Sequence, residues 1–384
     1  MKILNEIDYD PRISGKVRSA VSKWTSPMED CRYGSEFEDY HKYICRKWIF
    51  IIFCVVIVVV VMGVAVTVGP YDIGFLDSYS IIWNHLVSLI TGEEISGLDD
   101  HIVVQLRMPR VVVGIIAGAG LAVAGAVMQS TLLNPLADPY TTGVSSGASF
   151  GATLAMTMGI TVATGAYAIV VNAFLFSLIP TAMILLVSKL KNSSPTTMIM
   201  AGIAVMYVFN AMTTVLMLWA DPNQLEEVYN WQVGSLSRSS WEEIPIMLVV
   251  TFVGIIVVQF MSRKLNVLAT GDDLSNALGV DANRMRIILL ATISLVSAAI
   301  VSFTGLIGFV GLVTPHIVRL FIGADNRYLI PASAVAGAAL LVCADLVGRV
   351  VLYPVVLQVG VVMAFVGGPM FLWLIMRRNS RVWG

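Results

Sequence analysis

From Trp48 onward long apolar runs alternate with short polar breaks, and the runs fall at 48–69, 111–130, 143–160, 166–188, 197–219, 244–261, 287–305, 308–322, 329–350 and 355–376. A helix needs about 20 consecutive apolar residues to cross a bilayer core. The pattern therefore predicts an all-α polytopic membrane protein with about ten transmembrane helices. Runs containing Gly and other small residues read as helices, whereas barrel strands would alternate in short units. Residues 1–47 form a polar tail and 48–384 a membrane domain.

The longest polar break, Ser262 to Arg286, separates two apolar halves. Within it, Asp272 or Asp273 can cap a short helix, Gly279 can end that helix in a left-handed turn, and Asp281 can cap the next. Leu274 and Leu278, four apart, share one edge of the short helix and make a small docking face. A solvated loop with fraying turns is the bland alternative. Two further breaks, QSTLLNPLADPYTTGVSSGA and FTGLIGFVGLVTPHIVRLFIGADNR, fall at comparable places in the two halves and hint at an inverted repeat. Pro135 and Pro139 disfavour helix at Asn134 and Asp138. Gly143, Gly147 and Gly151 recur every fourth residue, which lets a neighbouring helix approach closely.

Ten spans return both ends to one side, and the Lys/Arg bias of short loops sets which side. Breaks assigned inside hold Lys189, Lys191, Arg263, Lys264, Arg284, Arg286, Arg319 and Arg327, with Arg377, Arg378 and Arg381 beyond the last span; those assigned outside hold Arg107, Arg110, Arg238 and Arg349. Both termini and the 262–286 loop are therefore expected in the cytoplasm of a cell-membrane protein. Arg46 and Lys47 anchor the first span inside. The outside segments are 70–110, rich in acid, and the aromatic loop Asp221 to Trp241. The tail, with Trp24, Tyr33, Phe37, Tyr40 and Tyr43, reads as flexible in preference to a surface helix.

Composition agrees: hydrophobic residues make up 57% and charged residues 13%, and a formal charge of -1 gives no reason to expect nucleic acid as partner. The chain lacks a GxxxxGK[ST] loop, so ATP hydrolysis would need another subunit. Cys31, Cys45, Cys54 and Cys343 have neither zinc nor disulfide spacing, and His41, His85, His101 and His316 form no helical ligand pair, so no metal site is expected. His316, after Pro315, reads as a capping or packing residue at a helix start. No catalytic constellation is present, which argues against an enzyme. Asp345, within a span, has Arg349 four residues on and reads as a structural pair ahead of a proton relay. Taken singly, Arg107, Arg110 and Arg349 are interfacial anchors; taken together they can be a receptor for carboxylates of another protein.

The run RMPRVVVGIIAGAGLAVAGAVMQSTLLNPLADPYTTGVSSGA, followed in order by GDDLSNALGV, GFVGLVTPHIVRL, GADNRYLIPASAVAGAALLVCADLVGR and GGPMFLWLI, resembles the FecCD-type permease family. These are membrane subunits of type II ABC importers for iron-siderophores, haem and vitamin B12. The resemblance implies a homodimer with the path at its interface, two cytoplasmic ATPase subunits that use ATP and Mg, and an external solute-binding protein. It makes the 262–286 loop the coupling element, with Gly271, Asp272, Leu274, Ala277, Leu278 and Gly279 as contact candidates. It makes Arg107, Arg110 and Arg349 the docking arginines. Met206, Asn210, Met363 and Phe365 are path candidates by position. Where the family reads roughly P-x-E-x-P-[VI]-G, this chain has Pro354-Val355-Val356-Leu357-Gln358-Val359-Gly360, which predicts an altered outer loop. The expected function is import of a metal chelate, iron-siderophore first and corrinoid or haem next; the alternative is an ion-coupled secondary transporter of an organic solute.

Overall fold

The computed structural model describes residues 33–92, 97–190 and 194–376. Cys31, Trp24, Lys191, Arg377, Arg378 and Arg381, on which the sequence reading also drew, lie outside them. The chain divides into two units, Met1–Arg46 and Lys47–Gly384. Helix α1 (Tyr33–Thr67) already runs through Tyr33 to Lys47, where the sequence favoured a flexible tail. The second unit carries the remaining helices.

The succession is α2 (Phe75–Thr91), a short turn (Leu98–Asp100) and π-helical stretch (His101–Arg107) leading into α3 (Met108–Thr131), then α4 (Val144–Met158), α5 (Ala168–Leu190), α6 (Pro195–Met217) and α7 (Pro222–Gln232). The remainder is α8 (Ile244–Leu268), α9 (Asp272–Ala277), α10 (Ala282–Thr304), α11 (Val310–Ile322), α12 (Asn326–Val350) and α13 (Val359–Met376). Each of the ten predicted apolar runs contains a helix. Among the described residues seven helices are long and apolar enough to cross a membrane; α4, α11 and α13 are shorter, with 15, 13 and 18 residues.

Helix α3 lies at the centre, packed by α8, α10, α11 and α12. Its small residues make this possible. A Cβ on Gly125 would sit 1.9 Å from the carbonyl oxygen of Gly311, and one on Gly118 would sit 2.3 Å from that of Gly337. Backbones of α3, α11 and α12 thus touch directly, as small residues allow in membrane helices. Gly147 and Gly151 do the same against α5, at the carbonyls of Phe176 and Asn172, as their spacing predicted.

Three local expectations need correction. The 70–110 segment contains α2, and the 221–241 loop contains α7, started by a capping box in which Asp221 and Gln224 satisfy each other's backbone N–H groups. His316 does not stand at a helix start, because α11 begins at Val310 and carries Pro315 inside it; its Nδ1 lies 3.1 Å from the Leu312 carbonyl. Pro315 is the sixth residue of α11, past the orphan donors of the first turn, so it cannot donate to the Gly311 carbonyl; Gln129 Nε2 donates to that carbonyl at 3.2 Å.

Candidate functional site

Three features lie along α3: an arginine cluster at its first turns, the 262–286 loop at its last, and a cavity beside the irregular segment C-terminal to it.

At the first end, Arg107 closes the π-helical stretch, Arg110 opens α3 and Arg349 stands in the last turn of α12. The Arg107 guanidinium donates to the carbonyls of Val66, Thr67 and Tyr71 at 2.6, 2.8 and 2.7 Å, so it finishes the C-terminal carbonyls of α1. Arg110 grips Asp345 as a fork, with Nη2 2.7 Å from Oδ1 and Nε 3.0 Å from both carboxylate oxygens. Arg349 Nε lies 3.2 Å from the other side of that carboxylate, and its Nη1 donates to the Ala65 carbonyl at 2.8 Å. The predicted Asp345–Arg349 pair therefore exists, with Arg110 as a partner the sequence did not suggest. Two guanidinium groups share this one carboxylate, so positive charge is left over. Among the described residues the buried Nη2 of Arg349 has no hydrogen-bond acceptor. All three arginines line a cavity of about 570 Å³ with Tyr71, Tyr353 and Pro354. A hydrogen bond to Asp99, then that carboxylate's charge and partial burial, raise the pKa of Tyr71.

At the other end, α9 starts on Gly271, which has φ +106° and needs no side-chain cap. Asp272 is not the cap the sequence suggested. Its carboxylate turns to Arg286, at 2.6 Å from Nη2 and 3.3 Å from Nη1, because a charge-assisted bond to a buried guanidinium outweighs a cap. Gly279, at φ +80°, closes the helix and Asp281 caps α10 through the Arg284 N–H, both as predicted. Ser275 fixes α9 to α8 by donating to the carbonyls of Val267 and Gly271. The Leu274 and Leu278 side chains remain 51% and 61% exposed, with Ala277 exposed between them.

Between these ends, α3 gives way to the irregular 132–143 segment, which with α4 and α6 encloses a cavity of about 790 Å³. Asp138, Tyr140, Ser145, Ser149, Asn210 and Thr213 contribute its polar lining. The Asp138 carboxylate is turned to its own backbone, accepting from the Thr141 N–H at 2.9 Å. Met206 and Asn210 line this cavity, and Phe365 lines an adjoining one of about 480 Å³ that shares Gln232 and Leu306. Met363 lines neither; it is fully buried in the core with Leu236 and Ile307. The serines of α4 and Asp138 were passed over in the sequence, although the Gly-Pro break around them marks where backbone leaves the helix to line a cavity.

Residues 48–377 match the model of the FecCD transport family. The chain belongs to the FecCD transport family. Like the rest of the FecCD family it is a multi-pass membrane protein of the ABC importers. The hemin transport system permease protein HmuU of Yersinia pestis is 33% identical over 84% of this chain and 95% of its own. The Fe(3+)-citrate import system permease protein YfmE of Bacillus subtilis is 32% identical over 86% of this chain and 95% of its own. A solved structure of a putative metal-chelate type ABC transporter in an inward-facing conformation superposes with a TM-score of 0.75 and 26% identity, covering 85% of this chain and 99% of the other. In this FecCD protein, then, the arginine cluster, cavity and α9 sit on a transporter scaffold.

Proposed function

We propose that this chain is the permease subunit of an ABC importer that moves a metal chelate by alternating access at a homodimer interface. One observation carries the reading: a single helix, α3, has an under-satisfied arginine cluster at one end and an exposed leucine face on α9 at the other, with a hydroxyl-lined cavity beside it. A type II importer needs those three surfaces, for a binding protein, an ATPase and the cargo.

In this reading Leu274 and Leu278 enter a groove on a cytoplasmic ATPase subunit that binds ATP and Mg. Acidic side chains of a solute-binding protein reach Arg107, Arg110 and Arg349 from the opposite side, and guanidinium forks hold them. Ten crossings place both termini on the ATPase side. The second copy covers the exposed apolar faces of α6 and α13, where Tyr207 and Phe365 border the cavities. Hydroxyl and amide walls hold a large chelate weakly, which favours release. An iron chelate is the first choice, in keeping with the hemin and iron-citrate systems of the relatives, and a corrinoid the next.

Purification of the tagged chain from its native membrane in mild detergent tests this. Recovery of a Walker-motif ATPase and an external binding protein supports the importer, and the absorption spectrum of the binding protein's ligand separates siderophore, haem and corrinoid. Transport that persists with the ATPase inactivated but stops with the ion gradient would overturn it.

A further inference from the structure

The last turn of α3 is gripped from two sides, by Arg286 of the coupling region and by Asn326 of α12. Arg286, in the first turns of α10, has no exposed surface, and its Nε donates to the Thr131 carbonyl at 3.2 Å while both Nη atoms hold Asp272 of α9. One residue earlier, the Ser130 hydroxyl donates to Asn326 Oδ1 at 3.1 Å, and Asn326 in turn donates from its backbone and side chain to Asn266 Oδ1, at 2.8 and 2.9 Å. Asn266 stands in α8 one turn before α9. The two polypeptide arms of the coupling loop therefore reach adjacent residues of α3, Thr131 directly and Ser130 through Asn326.

Those residues occupy a sensitive position. The segment C-terminal to Thr131 carries Asp138, Tyr140 and Thr141 into the wall of the 790 Å³ cavity. In the other direction α3 runs about 36 Å, at 1.5 Å per residue, to Arg107 and Arg110. The helix has no slack along that path, since its backbone touches α11 and α12 at Gly125 and Gly118. A push on α9 can reach Thr131 through one buried guanidinium and does not have to bend a loop.

We infer that Arg286 is a positioning residue for transport, a joint that passes displacement of the α9 helix to the C-terminus of α3 and so couples the ATPase side to both the cavity wall and the docking arginines. The inference rests on the permease reading above. It differs from a merely structural ion pair in what it moves: the coupling between two partner sites, which by linkage must weaken equally when read from either end.

The test uses the full complex in nanodiscs, with ATP hydrolysis measured with and without binding protein, for wild type, Arg286→Lys, Asp272→Asn and Asp272→Glu. Lysine keeps the charge but cannot reach Thr131 and Asp272 together. Asn at the partly exposed position 272 alters one atom and keeps an amide carbonyl as acceptor for Arg286. Both variants are expected to lower stimulation by the binding protein by about fivefold or more, and to shrink the nucleotide-dependent shift in binding-protein affinity as well. Asp272→Glu is expected to restore part of the stimulation. Stimulation within about twofold of wild type in Asp272→Asn would overturn the inference, since a coupling of ordinary size would be missed by no such assay. Loss of the ATPase from the Asp272→Asn complex would also overturn it, by showing that the pair shapes the contact surface. If the wild-type chain recruits no ATPase, the permease reading itself fails, which is a separate result.

Discussion

Arg110 and Asp345, 235 residues apart in sequence, meet as a two-pronged ion pair with Nη2 2.7 Å from Oδ1, and this bond ties the start of α3 to the end of α12. Asp345 is also the counter-ion of Arg349, so its loss strands two largely buried guanidinium groups. Asp345→Asn is expected to destabilise the protein by about 3–5 kcal/mol, the usual consequence of breaking a buried pair from one side. The midpoint of thermal unfolding in detergent measures this; an unchanged midpoint would mean the arginines are held by carbonyls alone.

The same geometry alters how docking must be tested. Charge reversal at Arg110 or Arg349 would set a carboxylate against Asp345 and unfold the region, so it cannot isolate a docking role. Arg349→Lys keeps the charge and removes the unsatisfied Nη2. Affinity for the solute-binding protein should fall by about tenfold, the scale of one lost charge-assisted bond. Titration by surface plasmon resonance reads it, and unchanged affinity would remove Arg349 from the interface.

Leu274 and Leu278 project from α9 with more than half of each side chain exposed. Leu274→Asp and Leu278→Asp should shift stability by no more than about 0.5 kcal/mol, as surface substitutions do, yet abolish recovery of the ATPase. A variant that still brings the ATPase through gel filtration would move the contact elsewhere on the 262–286 loop.

Crowding along α3 separates glycines that pack from glycines that do not. Gly125→Ala places a methyl group against the Gly311 backbone and should eliminate monodisperse protein, whereas Gly308→Ala and Gly368→Ala meet nothing within 4 Å and should be tolerated. Fluorescence-detected size-exclusion profiles of the three variants suffice to check the ranking.

Asp325 caps α12 beside Lys47, 3.7 Å away. Burial works against its charge, but hydrogen bonds from Arg327 and Asn266 outweigh burial and hold its pKa at about 2, below the ordinary 3.8. A depressed carboxylate contributes stability that is complete above the unfolded pKa and is lost as pH falls through the folded one. Wild type should therefore lose stability between about pH 4 and pH 2, and Asp325→Asn should lose less over that interval. Equal slopes in acid unfolding would contradict the assignment.

Much of this was legible in the sequence because lipid imposes one rule on every residue. Apolar run length marked where helices lie, and Gly147, Gly151 and Gly279 announced their own backbone roles. Pairings between distant residues were not legible. Arg110 with Asp345 and Arg286 with Thr131 depend on which helices become neighbours, and one-dimensional spacing holds no record of that. Asp272 misled because its local signal, a cap, was overridden by a buried guanidinium 14 residues later. Helix α7 was missed for a plainer reason, since the Asp221-Pro222 start and Gln224 spell a capping box that the aromatic residues around it obscured.

The crowded centre of α3 also sets a timetable for synthesis. Its partners α8, α10, α11 and α12 all lie beyond residue 243, and Gly118 meets a residue about 220 positions downstream. At a translation rate of roughly 5–20 residues per second, α3 waits on the order of 10–40 seconds in the bilayer before Gly337 emerges. Throughout that interval its groove of small residues must be filled by lipid, by the insertion machinery or by another chain, and the first half of the protein is a ward of whatever fills it.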